Sequence, residues 1–590
     1  MQLDWFGESQ PRSVSFDDIY YAKENGLEEA RYLFIQGNRL LERWRPKTSF
    51  VVGELGFGTG LNFLAIWEAF CTIPEDQRPR LHFVSCEKFP LTKEQMRIAH
   101  QRWPELRKLS EEFLKIYDIP PLGFHRMIFE KGKLTLSLLI GDARECLLDW
   151  QGRADAWCLD GFAPKKNPEM WSEELFRVVG QRSNAGATFA TYTSAGFVKR
   201  NLIAAGFETK KIKGFGPKWE SLTGTLNGDS ILYSSIQPSV PRVAIVGAGI
   251  AGLSVAHALF QRGIEFDVFE TQPHMASQAS SHTSAIFHPL ISAIPTAMSQ
   301  TSWASLLYLR SFLRSWIPKN VYNESGILIL EKTTKHFDSW TRGIASHEIH
   351  ADLARYVNQN EAKEIARVEV PSGGIFIPRG GFLNLKRLTQ ELASPFSDRI
   401  QFDTESSLID RLPDAYTHVV FANAHCLSRE LPGLRKVRGQ LLYIRQPSMT
   451  PLQVVLCGDG FITPASGEEK THCIGATYDR DSNCLEPTVA DTQTLLRKLS
   501  QFSFQGDLSN VEIVAPWVQL RASRAGQEIV AGQRNELPGN IFMLSSLGSR
   551  GSLFAPLAGD AIASLIDCRE PHPFSFSVSQ RFSPQRLVLG

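Results

Sequence analysis

The sequence predicts an α/β protein made of two halves, each built on a mostly parallel sheet. An apolar segment, a glycine-rich turn, a helical pattern and a second apolar segment ending in an acid occur twice, over residues 50–88 and 242–270. Apolar segments alternating with helical patterns follow, which is typical of sheets covered by helices on both faces. The 590 residues are enough for two or more domains of roughly 100–200 residues.

A short polar run separates the two halves. Ser234–Arg242 carries Pro238 and Pro241 and is too short to pack as an element of its own. We therefore place a boundary near residue 238 and predict an N-terminal domain over residues 1–237 and a C-terminal domain over residues 238–590.

Further apolar segments predict the rest of both sheets. Leu134–Cys146 and Ala154–Pro164 are predicted strands running into loops, and Gly186–Phe207 is predicted as strand, loop and helix. Ligands of such sheets bind at the carboxyl ends of the strands. In the second half, Val437–Gln446 and Thr471–Tyr478 predict an additional antiparallel sheet that carries the substrate.

Composition excludes several classes of protein. The 63 Lys and Arg residues balance 62 Asp and Glu residues, which excludes binding through net charge alone but allows a local basic patch. The nine scattered cysteines form no CxxC pair, so we expect reduced thiols in a cytoplasmic protein, without disulfides or a metal site. The acidic, polar N-terminus does not resemble a signal peptide.

One segment meets the simplest criterion for a membrane span. Residues 243–260 contain no Asp, Glu, Lys or Arg. Their glycine spacing and β-branched start instead indicate a strand, a tight turn and a helix. We therefore expect no membrane segment.

The first glycine turn, ELGFGTG, has glycines at alternate positions. Gly56, Gly58 and Gly60 let the backbone approach a ligand where a Cβ would obstruct it. This spacing is neither a P-loop nor a dinucleotide fingerprint. It resembles the first motif of class I methyltransferases, which hold S-adenosylmethionine. The alternative is a tight strand-to-helix connection without a ligand.

The methyltransferase resemblance implies roles for three acids. Glu54 opens the motif, and Glu87 ends the second strand, where that family binds the cofactor ribose. Asp142 follows a further strand, where the family contacts adenine. With the three glycines, these acids form the predicted S-adenosylmethionine site.

The segment DGFAPKKNPEMW follows an apolar strand and resembles the loop with which amine-directed methyltransferases grip the target nitrogen. An amine attacks a sulfonium methyl as the free base and in line, so the site must position the nitrogen and stabilise its growing charge. Asp160 is predicted to do both, with Phe162 as an aromatic wall. The adjoining predicted substrate contacts are Pro164, Lys165 and Lys166. Alternatively, Asp160 caps the next helix.

The second glycine turn, VGAGIAG, matches the dinucleotide fingerprint. Gly247, Gly249 and Gly252 follow a strand and open a helix, and Glu270 closes the next strand. This pattern predicts a pyrophosphate at the helix N-terminus and the Glu270 carboxylate on the ribose.

The C-terminus distinguishes FAD from NAD. Ile541–Ile566 contains a strand, the loop GSRG and a long helix, and resembles the closing segment of flavoproteins of the D-amino-acid oxidase and glycine oxidase type. The resemblance implies FAD as cofactor, with Gly548, Arg550 and Gly551 facing the flavin. Negative charge on reduced flavin is stabilised by such a helix dipole.

Pro516–Gly532 resembles that family's segment carrying the arginine that pairs with an amino-acid carboxylate. Arg521 is the matching position, and its planar fork suits a bidentate carboxylate. Arg524 is a second candidate for a substrate contact. A surface ion pair is the alternative role of Arg521.

Two further signals are less specific. Ser281–Leu290 occupies the place of a loop that passes the flavin in that family, although SHTS replaces the expected Gly/Asn-rich sequence. Ser281, His282 and His288 are therefore either flavin neighbours or structural residues. Six lysines are candidate phosphate contacts or solvated side chains: Lys165, Lys166, Lys210, Lys211, Lys213 and Lys218.

The order of the motifs resembles, over nearly the full chain, the family of bifunctional enzymes of tRNA 5-methylaminomethyl-2-thiouridine biosynthesis. The resemblance implies an N-terminal Rossmann-like class I methyltransferase domain and a C-terminal FAD-binding Rossmann domain with an antiparallel β substrate subdomain. It implies tRNA as the partner, while the cysteine pattern and the apolar segments led us to expect no metal and no membrane. The C-terminal domain would remove a carboxymethyl group from the wobble uridine, and the N-terminal domain would methylate the amine.

Two alternatives stay open from the residues alone. A free amino-acid oxidase fused to a small-molecule N-methyltransferase would carry similar motifs without an RNA partner. One half could also have lost catalysis and serve as a binding module. Salt-sensitive retention of bulk tRNA by a yellow protein would distinguish these readings.

Overall fold

The computed structural model of the protein describes residues 3–7, 10–22, 25–45, 47–216, 218–227, 240–409, 411–428, 430–446, 451–502, 511–536 and 540–587. It divides into two compact units. The first is Met1–Pro238 with Cys568–Phe576, and the second is Ser239–Asp567 with Ser577–Gly590. The predicted linker falls mostly in residues 228–239, outside the described residues.

The strands of the first unit are β1 (Leu3–Phe6), β2 (Gln10–Ser13), β3 (Asp18–Ile19), β4 (Ser49–Leu55), β5 (Arg80–Glu87), β6 (Gly123–Phe129), β7 (Leu134–Ile140), β8 (Ala154–Leu159), β9 (Ser183–Thr191), β10 (Phe207–Lys213) and β11 (Glu220–Leu226). Its helices are α1 (Gly26–Ala30), α2 (Leu40–Trp44), α3 (Leu61–Cys71), α4 (Lys93–His100), α5 (Arg107–Ile116), α6 (Ala143–Asp149), α7 (Glu173–Gln181) and α8 (Gly196–Ala204). A π-helix over Arg31–Gln36 follows α1.

The main sheet of this unit has eight strands in the order β10-β11-β9-β8-β4-β5-β7-β6. The five central strands run parallel, and antiparallel pairs close both edges. Apolar side chains form a core on each face of the sheet, which explains why β7 is buried along its whole length. The predicted alternation of strands and helices is confirmed, and the antiparallel edges are an addition to it.

A segment from the C-terminal end of the chain belongs to this first unit. Within Cys568–Phe576, the side chain of Glu570 is fully buried and pairs with Arg80, whose Nη2 donates to Oε2 at 3.2 Å. Arg126 Nη2 donates to the carbonyl oxygen of Pro571 at 2.6 Å. Both arginines are buried, so these contacts compensate charges that water cannot reach.

The second unit contains the strands β12 (Arg242–Val246), β13 (Glu265–Phe269), β14 (Ala285–Phe287), β15 (Tyr322–Asn323), β16 (Ile327–Leu330), β17 (Arg355–Val357), β18 (Gly374–Ile377), β19 (Gly381–Leu383), β20 (Ile400–Gln401), β21 (His418–Phe421), β22 (Arg435–Arg445), β23 (Val455–Cys457), β24 (Phe461–Ile462), β25 (His472–Gly475), β26 (Glu512–Ser523), β27 (Val530–Arg534) and β28 (Asn540–Ser545). Its helices are α9 (Ile250–Gln261), α10 (Ala297–Trp316), α11 (Thr334–Ser346), α12 (Gln359–Ala366), α13 (Leu385–Ala393), α14 (Ser406–Ile409), α15 (Leu412–Ala415), α16 (Val489–Ser500), α17 (Gly551–Asp567) and α18 (Phe576–Phe582).

Two large sheets organise the second unit. The first has the order β20-β13-β12-β21-β28-β27 and is parallel except for β27. The second has the order β17-β18-β16-β23-β24-β25-β22-β26 and is antiparallel except for the pair β16 and β23. A small sheet, β14-β19-β15, accompanies them. The predicted additional antiparallel sheet is therefore confirmed, with one parallel pair inside it.

Residues 243–260 form β12, its turn and α9, as predicted. No helix within the described ranges combines the length and the apolar composition that crossing a bilayer requires.

All nine cysteines are free thiols.

The buried pair between Arg80 and Glu570 leads to a stability prediction. Glu570→Ala should lower the opening free energy of the first unit by about 3–5 kcal/mol, because Arg80 is left buried without its counter-ion. Hydrogen exchange of peptides from β5–β7 measures this. Glu112→Ala, which breaks an exposed pair with Lys115, is the control and should cost at most about 1 kcal/mol. Equal protection in the two variants would contradict the prediction.

Candidate active sites

The first glycine turn joins β4 to α3 at the carboxyl edge of the parallel strands. Gly56, Gly58 and Gly60 have φ of 82°, 53° and 76°, a left-handed backbone that glycine adopts without steric cost. The Gly58 N–H donates to Glu87 Oε2 at 2.9 Å, and the Phe89 N–H donates to Glu87 Oε1 at 2.7 Å. Burial raises the pKa of Glu87, and these N–H groups partly offset that shift. Glu87 therefore holds the turn from the end of β5.

A cavity of about 950 Å³ opens at this edge, within the size range of small-molecule sites. The predicted residues that line it are Gly56, Gly58, Glu87, Asp142, Asp160 and Phe162. Asp142 caps α6, since its Oδ1 accepts from the Arg144 N–H at 3.1 Å. Its Oδ2 lies 3.4 Å from Lys88 Nζ. The open glycine backbone and the two acids fit S-adenosylmethionine.

Glu54 lies beneath the cavity. Its side chain is 1% exposed and is not part of the cavity lining. Ser85 Oγ donates to its Oε2 at 2.6 Å, and Asn62 Nδ2 donates to its Oε1 at 3.0 Å. Burial raises the pKa of Glu54 well above its ordinary value. The structure therefore gives Glu54 a supporting position rather than the direct cofactor contact that the sequence predicted.

Asn62 connects this buried layer to Asp160. Its Nδ2 also donates to Asp160 Oδ2 at 2.8 Å, and the Gly161 N–H donates to Asp160 Oδ1 at 2.9 Å. Burial raises the pKa of Asp160 to about 6, although these two hydrogen bonds lower it. Ser172, not Asp160, caps the next α-helix. Sequence reasoning missed Asn62, although its place at the start of α3 offered a signal.

An aromatic cluster forms one side of the cavity. Phe162 stacks on Phe16, with ring centroids 4.8 Å apart, and meets Tyr20 edge-on at 5.2 Å. The Ala163 N–H donates to Asp18 Oδ2 at 2.8 Å, which ties the N-terminal strands to this loop. The predicted aromatic wall is thus shared with residues 16–20, which sequence reasoning did not single out.

Besides Lys88, a second paired lysine, Lys218, lines the cavity. Lys218 Nζ lies 4.6 Å from the centroid of the Tyr192 ring and pairs with Glu29 at 2.5 Å. The Tyr192 hydroxyl donates to the Gly161 carbonyl oxygen at 2.9 Å. Tyr192 follows β9 directly, so the rule that ligands bind at the carboxyl ends of strands could have identified it.

The predicted contacts Pro164, Lys165 and Lys166 do not line the cavity. Pro164 is buried and Lys165 is exposed. Lys166 Nζ lies 3.6 Å from Asp18 Oδ1 and also donates to the Asp17 carbonyl oxygen. Lys166 therefore holds the loop to the N-terminal strands.

The second glycine turn joins β12 to α9. A Cβ on Gly252 would lie 1.9 Å from the carbonyl oxygen of Gly247, whose own φ is +108°. Gly249 is in extended backbone just before α9. The Ala248 N–H donates to Glu270 Oε2 at 2.7 Å. This close packing leaves open backbone at the helix N-terminus, which fits the pyrophosphate of FAD.

Arg521 lies on β26 among polar groups of neighbouring elements. Its Nη1 donates to Ser549 Oγ at 2.8 Å, and its Nη2 donates to the Thr477 carbonyl oxygen at 2.8 Å. The guanidinium carbon lies 4.5 Å from the centroid of the Tyr478 ring. Nε of Arg521 is buried and has no hydrogen-bond partner among the described residues. Burial lowers the pKa of Arg521, so this site contains a desolvated cation with donor capacity to spare.

The loop before α17 adds a second cation. Gly548 has φ of +55°, and Gly551 begins the helix. Arg550 Nη1 donates to Gln527 Oε1 at 3.0 Å, while its buried Nε lacks a partner among the described residues. Burial, with the Arg550 charge, lowers the pKa of His288 to about 4. His288 is therefore neutral at physiological pH.

Arg524 does not share the surroundings of Arg521. Its Nε donates to the Pro432 carbonyl oxygen at 3.2 Å.

The alternative role of Arg521 was a surface ion pair. No carboxylate in the described part of the chain forms an ion pair with Arg521.

The loop around His282 is attached to the second large sheet. Trp517 Nε1 donates to Ser281 Oγ at 2.9 Å, and the His282 ring meets the Trp517 ring edge-on at 4.9 Å. Thr283 Oγ1 donates to the Tyr443 hydroxyl at 2.7 Å. Burial, with the Arg521 charge, lowers the pKa of His282 to about 3. These contacts give Ser281 and His282 packing roles.

Comparison with known proteins assigns both units. A family model described as S-adenosyl-L-methionine-dependent methyltransferase matches residues 104–227, and one described as FAD dependent oxidoreductase matches residues 242–565. L-proline dehydrogenase from P. horikoshii has a TM-score of 0.50 at 15% identity, over 60% of this chain and 99% of that chain, which shows a shared fold.

Curated relatives match from end to end. The tRNA 5-methylaminomethyl-2-thiouridine biosynthesis bifunctional protein MnmC of Ectopseudomonas mendocina is 33% identical, over 100% of this chain and 97% of the relative. The protein of the same name from Pseudomonas aeruginosa strain UCBPP-PA14 is 34% identical, over 100% of this chain and 98% of that relative. The chain thus belongs to the family of tRNA 5-methylaminomethyl-2-thiouridine biosynthesis bifunctional proteins, with a methyltransferase domain that uses S-adenosylmethionine and an oxidoreductase domain that uses FAD.

Proposed function

We propose that this protein modifies the wobble uridine of cytoplasmic tRNA in two steps. The oxidoreductase domain removes the carboxymethyl group of 5-carboxymethylaminomethyl-(2-thio)uridine, and the methyltransferase domain methylates the amine that is left. The observation that carries the proposal is that one chain contains two sites of different chemistry. One is an arginine site suited to a carboxylate, and the other is an acidic site suited to an amine. The full-length match to the curated relatives favours a tRNA substrate over a free amino acid.

The two steps are chemically consecutive. FAD, when bound, accepts hydride from the carbon between the nitrogen and the carboxylate, and S-adenosylmethionine, when bound, supplies the methyl group. Loss of the hydride and a proton leaves an imine, which takes up water and separates into glyoxylate and a primary amine. That amine is the substrate of methylation. Dioxygen is the expected acceptor of the electrons, as in oxidases of this type.

Arg521 is the proposed carboxylate partner in the first step. Its fork is fixed by Ser549 and by the Thr477 carbonyl oxygen, so little side-chain freedom is lost when substrate binds. Its Nε–H is buried and has no hydrogen-bond partner in the described part of the chain. Pairing with a carboxylate would hold the adjoining carbon against the flavin ring.

Asp160 is the proposed partner of the amine in the second step. Asn62 and the Gly161 N–H fix its two oxygens, and each oxygen retains acceptor capacity for an amine N–H. The carboxylate would orient the nitrogen towards the methyl group and stabilise the positive charge that develops on it. Glu54 supports this geometry through Asn62.

Asp160→Ala should abolish methylation and leave glyoxylate release and FAD content unchanged, because its contacts lie within the methyltransferase domain. Mass spectrometry of nucleosides from treated tRNA should show unmethylated aminomethyl uridine accumulating. Glyoxylate formation by the same preparation is the internal control. A normal methylation rate would remove Asp160 from the mechanism.

The pH dependence of methylation should also report on Asp160. Protonation of the amine lowers the rate as pH falls, and protonation of Asp160 should steepen the fall below about pH 6. Asp160→Asn cannot titrate and should lose the steeper part while retaining the amine's own dependence. Single-turnover methyl transfer over pH measures both profiles. Identical profile shapes in wild type and variant would show that another group titrates.

Arg521→Ala should slow flavin reduction by an amount equivalent to about 2–5 kcal/mol, because the substrate carboxylate loses a desolvated partner. Arg521→Lys should also be impaired, since it keeps the charge and loses the fork. Stopped-flow reduction at varied tRNA concentration measures this, with methylation of aminomethylated tRNA as a folding control. Arg524→Ala should stay near wild type. Unchanged kinetics in Arg521→Ala would redirect attention to Arg550.

A further inference from the structure

Trp219 is unusual among the tryptophans of this protein. It is 92% exposed, whereas the other eleven are buried or half-buried. A tryptophan side chain carries a large apolar surface, so leaving it in water forgoes the stabilisation that burial would bring. Folding therefore gives no reason for a tryptophan at this position.

The position of Trp219 relates it to the methyltransferase site. It lies in the turn between β10 and β11, where the Gly214 N–H donates to its carbonyl oxygen at 3.1 Å. Phe215 and Lys218 of the same turn line the cavity that contains Asp160. The exposed indole thus belongs to a turn that forms part of the cavity wall.

The strand leading into this turn is basic. Lys210, Lys211 and Lys213 are all exposed on β10, the edge strand of its sheet. Lys211 pairs with Glu220 at 2.6 Å. Lys210 and Lys213, which project from opposite faces of this edge strand because they are three residues apart, form no ion pair with any residue that the structure describes. Edge lysines also discourage strand pairing between molecules, but that role does not require the neighbouring tryptophan.

We infer that the β10–β11 turn is an RNA-binding platform, on which Trp219 stacks against a nucleotide next to the wobble uridine and Lys210 and Lys213 contact phosphates. This inference rests on the proposed function. An exposed aromatic ring on a turn that follows a strand with exposed lysines is a combination that binds single-stranded nucleic acid. Anticodon loops present such unpaired bases. Lysine is depleted in protein–protein interfaces, which favours RNA over a protein partner.

Geometry assigns the stacked base to a neighbour of the modified uridine. The amine of that uridine must reach Asp160 inside the cavity, whereas Trp219 is not part of the cavity lining. A base adjacent in the loop would therefore meet the indole while the uridine side chain enters the site.

The test compares full-length wild type, Trp219→Ala and Trp219→Phe in binding a fluorescein-labelled anticodon stem-loop. Trp219→Ala should raise the Kd about 5- to 100-fold, the range expected from losing one stacked base. Trp219→Phe retains a stacking ring and should stay within about threefold of wild type. Leu148→Ala removes another exposed apolar side chain of the same unit and should bind normally. Equal affinity of Trp219→Ala and wild type would overturn the inference.

The lysines are tested by salt dependence. Replacing Lys210 and Lys213 together by alanine should reduce the slope of log Kd against log salt by about 2, because two phosphate contacts are lost. Trp219→Ala should leave that slope unchanged, since stacking releases no counterions. An unchanged slope in the lysine variant would remove Lys210 and Lys213 from the platform.

Methylation separates this inference from the proposed function. With aminomethylated tRNA, Trp219→Ala should raise KM in proportion to Kd and leave kcat near wild type. Absence of methyl transfer in the wild type would refute the proposed function, whereas the stem-loop binding comparison would still decide the role of Trp219. A loss confined to kcat, with normal Kd, would contradict the platform.

Discussion

In both units, a glycine turn joins a strand to the helix that follows it. The strand and the helix pack so closely at this turn that there is no room for a side chain between them. A Cβ on Gly252 would lie 1.9 Å from a carbonyl oxygen of its own turn. The same kind of hydrogen bond then occurs in both units. The Gly58 N–H donates to Glu87 at 2.9 Å, and the Ala248 N–H donates to Glu270 at 2.7 Å. In each, the acid ending the second parallel strand fixes the glycine turn. Ligand-binding backbone is thereby presented at the carboxyl edge of the sheet.

The two sites differ in charge, in agreement with the chemistry proposed for each. The methyltransferase cavity brings Glu87 and Asp160 to its wall, and carboxylates suit a sulfonium cofactor and an amine that becomes cationic. The proposed oxidoreductase site contains Arg521 and Arg550, each with a buried Nε that has no hydrogen-bond partner among the described residues, beside a neutral His282. Such cations suit a carboxylate substrate and the negative charge of a reduced flavin. The near-zero net charge of the chain conceals this separation.

The path of the chain links the two activities physically. Cys568–Phe576 follows α17 of the oxidoreductase unit and packs within the methyltransferase unit, where Glu570 compensates Arg80. A methyltransferase unit ending near residue 238 would lack this segment. The contacts of this segment with Arg80 and Arg126 therefore form only after nearly the whole chain has been synthesised.

The sequence by itself determined the features that depend on neighbours along the chain. Glycine spacing and apolar segments predicted both glycine turns, the parallel sheets and the places of Glu87 and Asp160 at strand ends, because these features follow from local backbone geometry. Only the tertiary structure decided which distant side chains converge. In the structure, Phe16 stacks on Phe162, Glu54 lies beneath the cavity, and Glu570 pairs with Arg80. Such contacts join residues far apart in the chain through packing and charge compensation, and neither leaves a periodic pattern in the sequence.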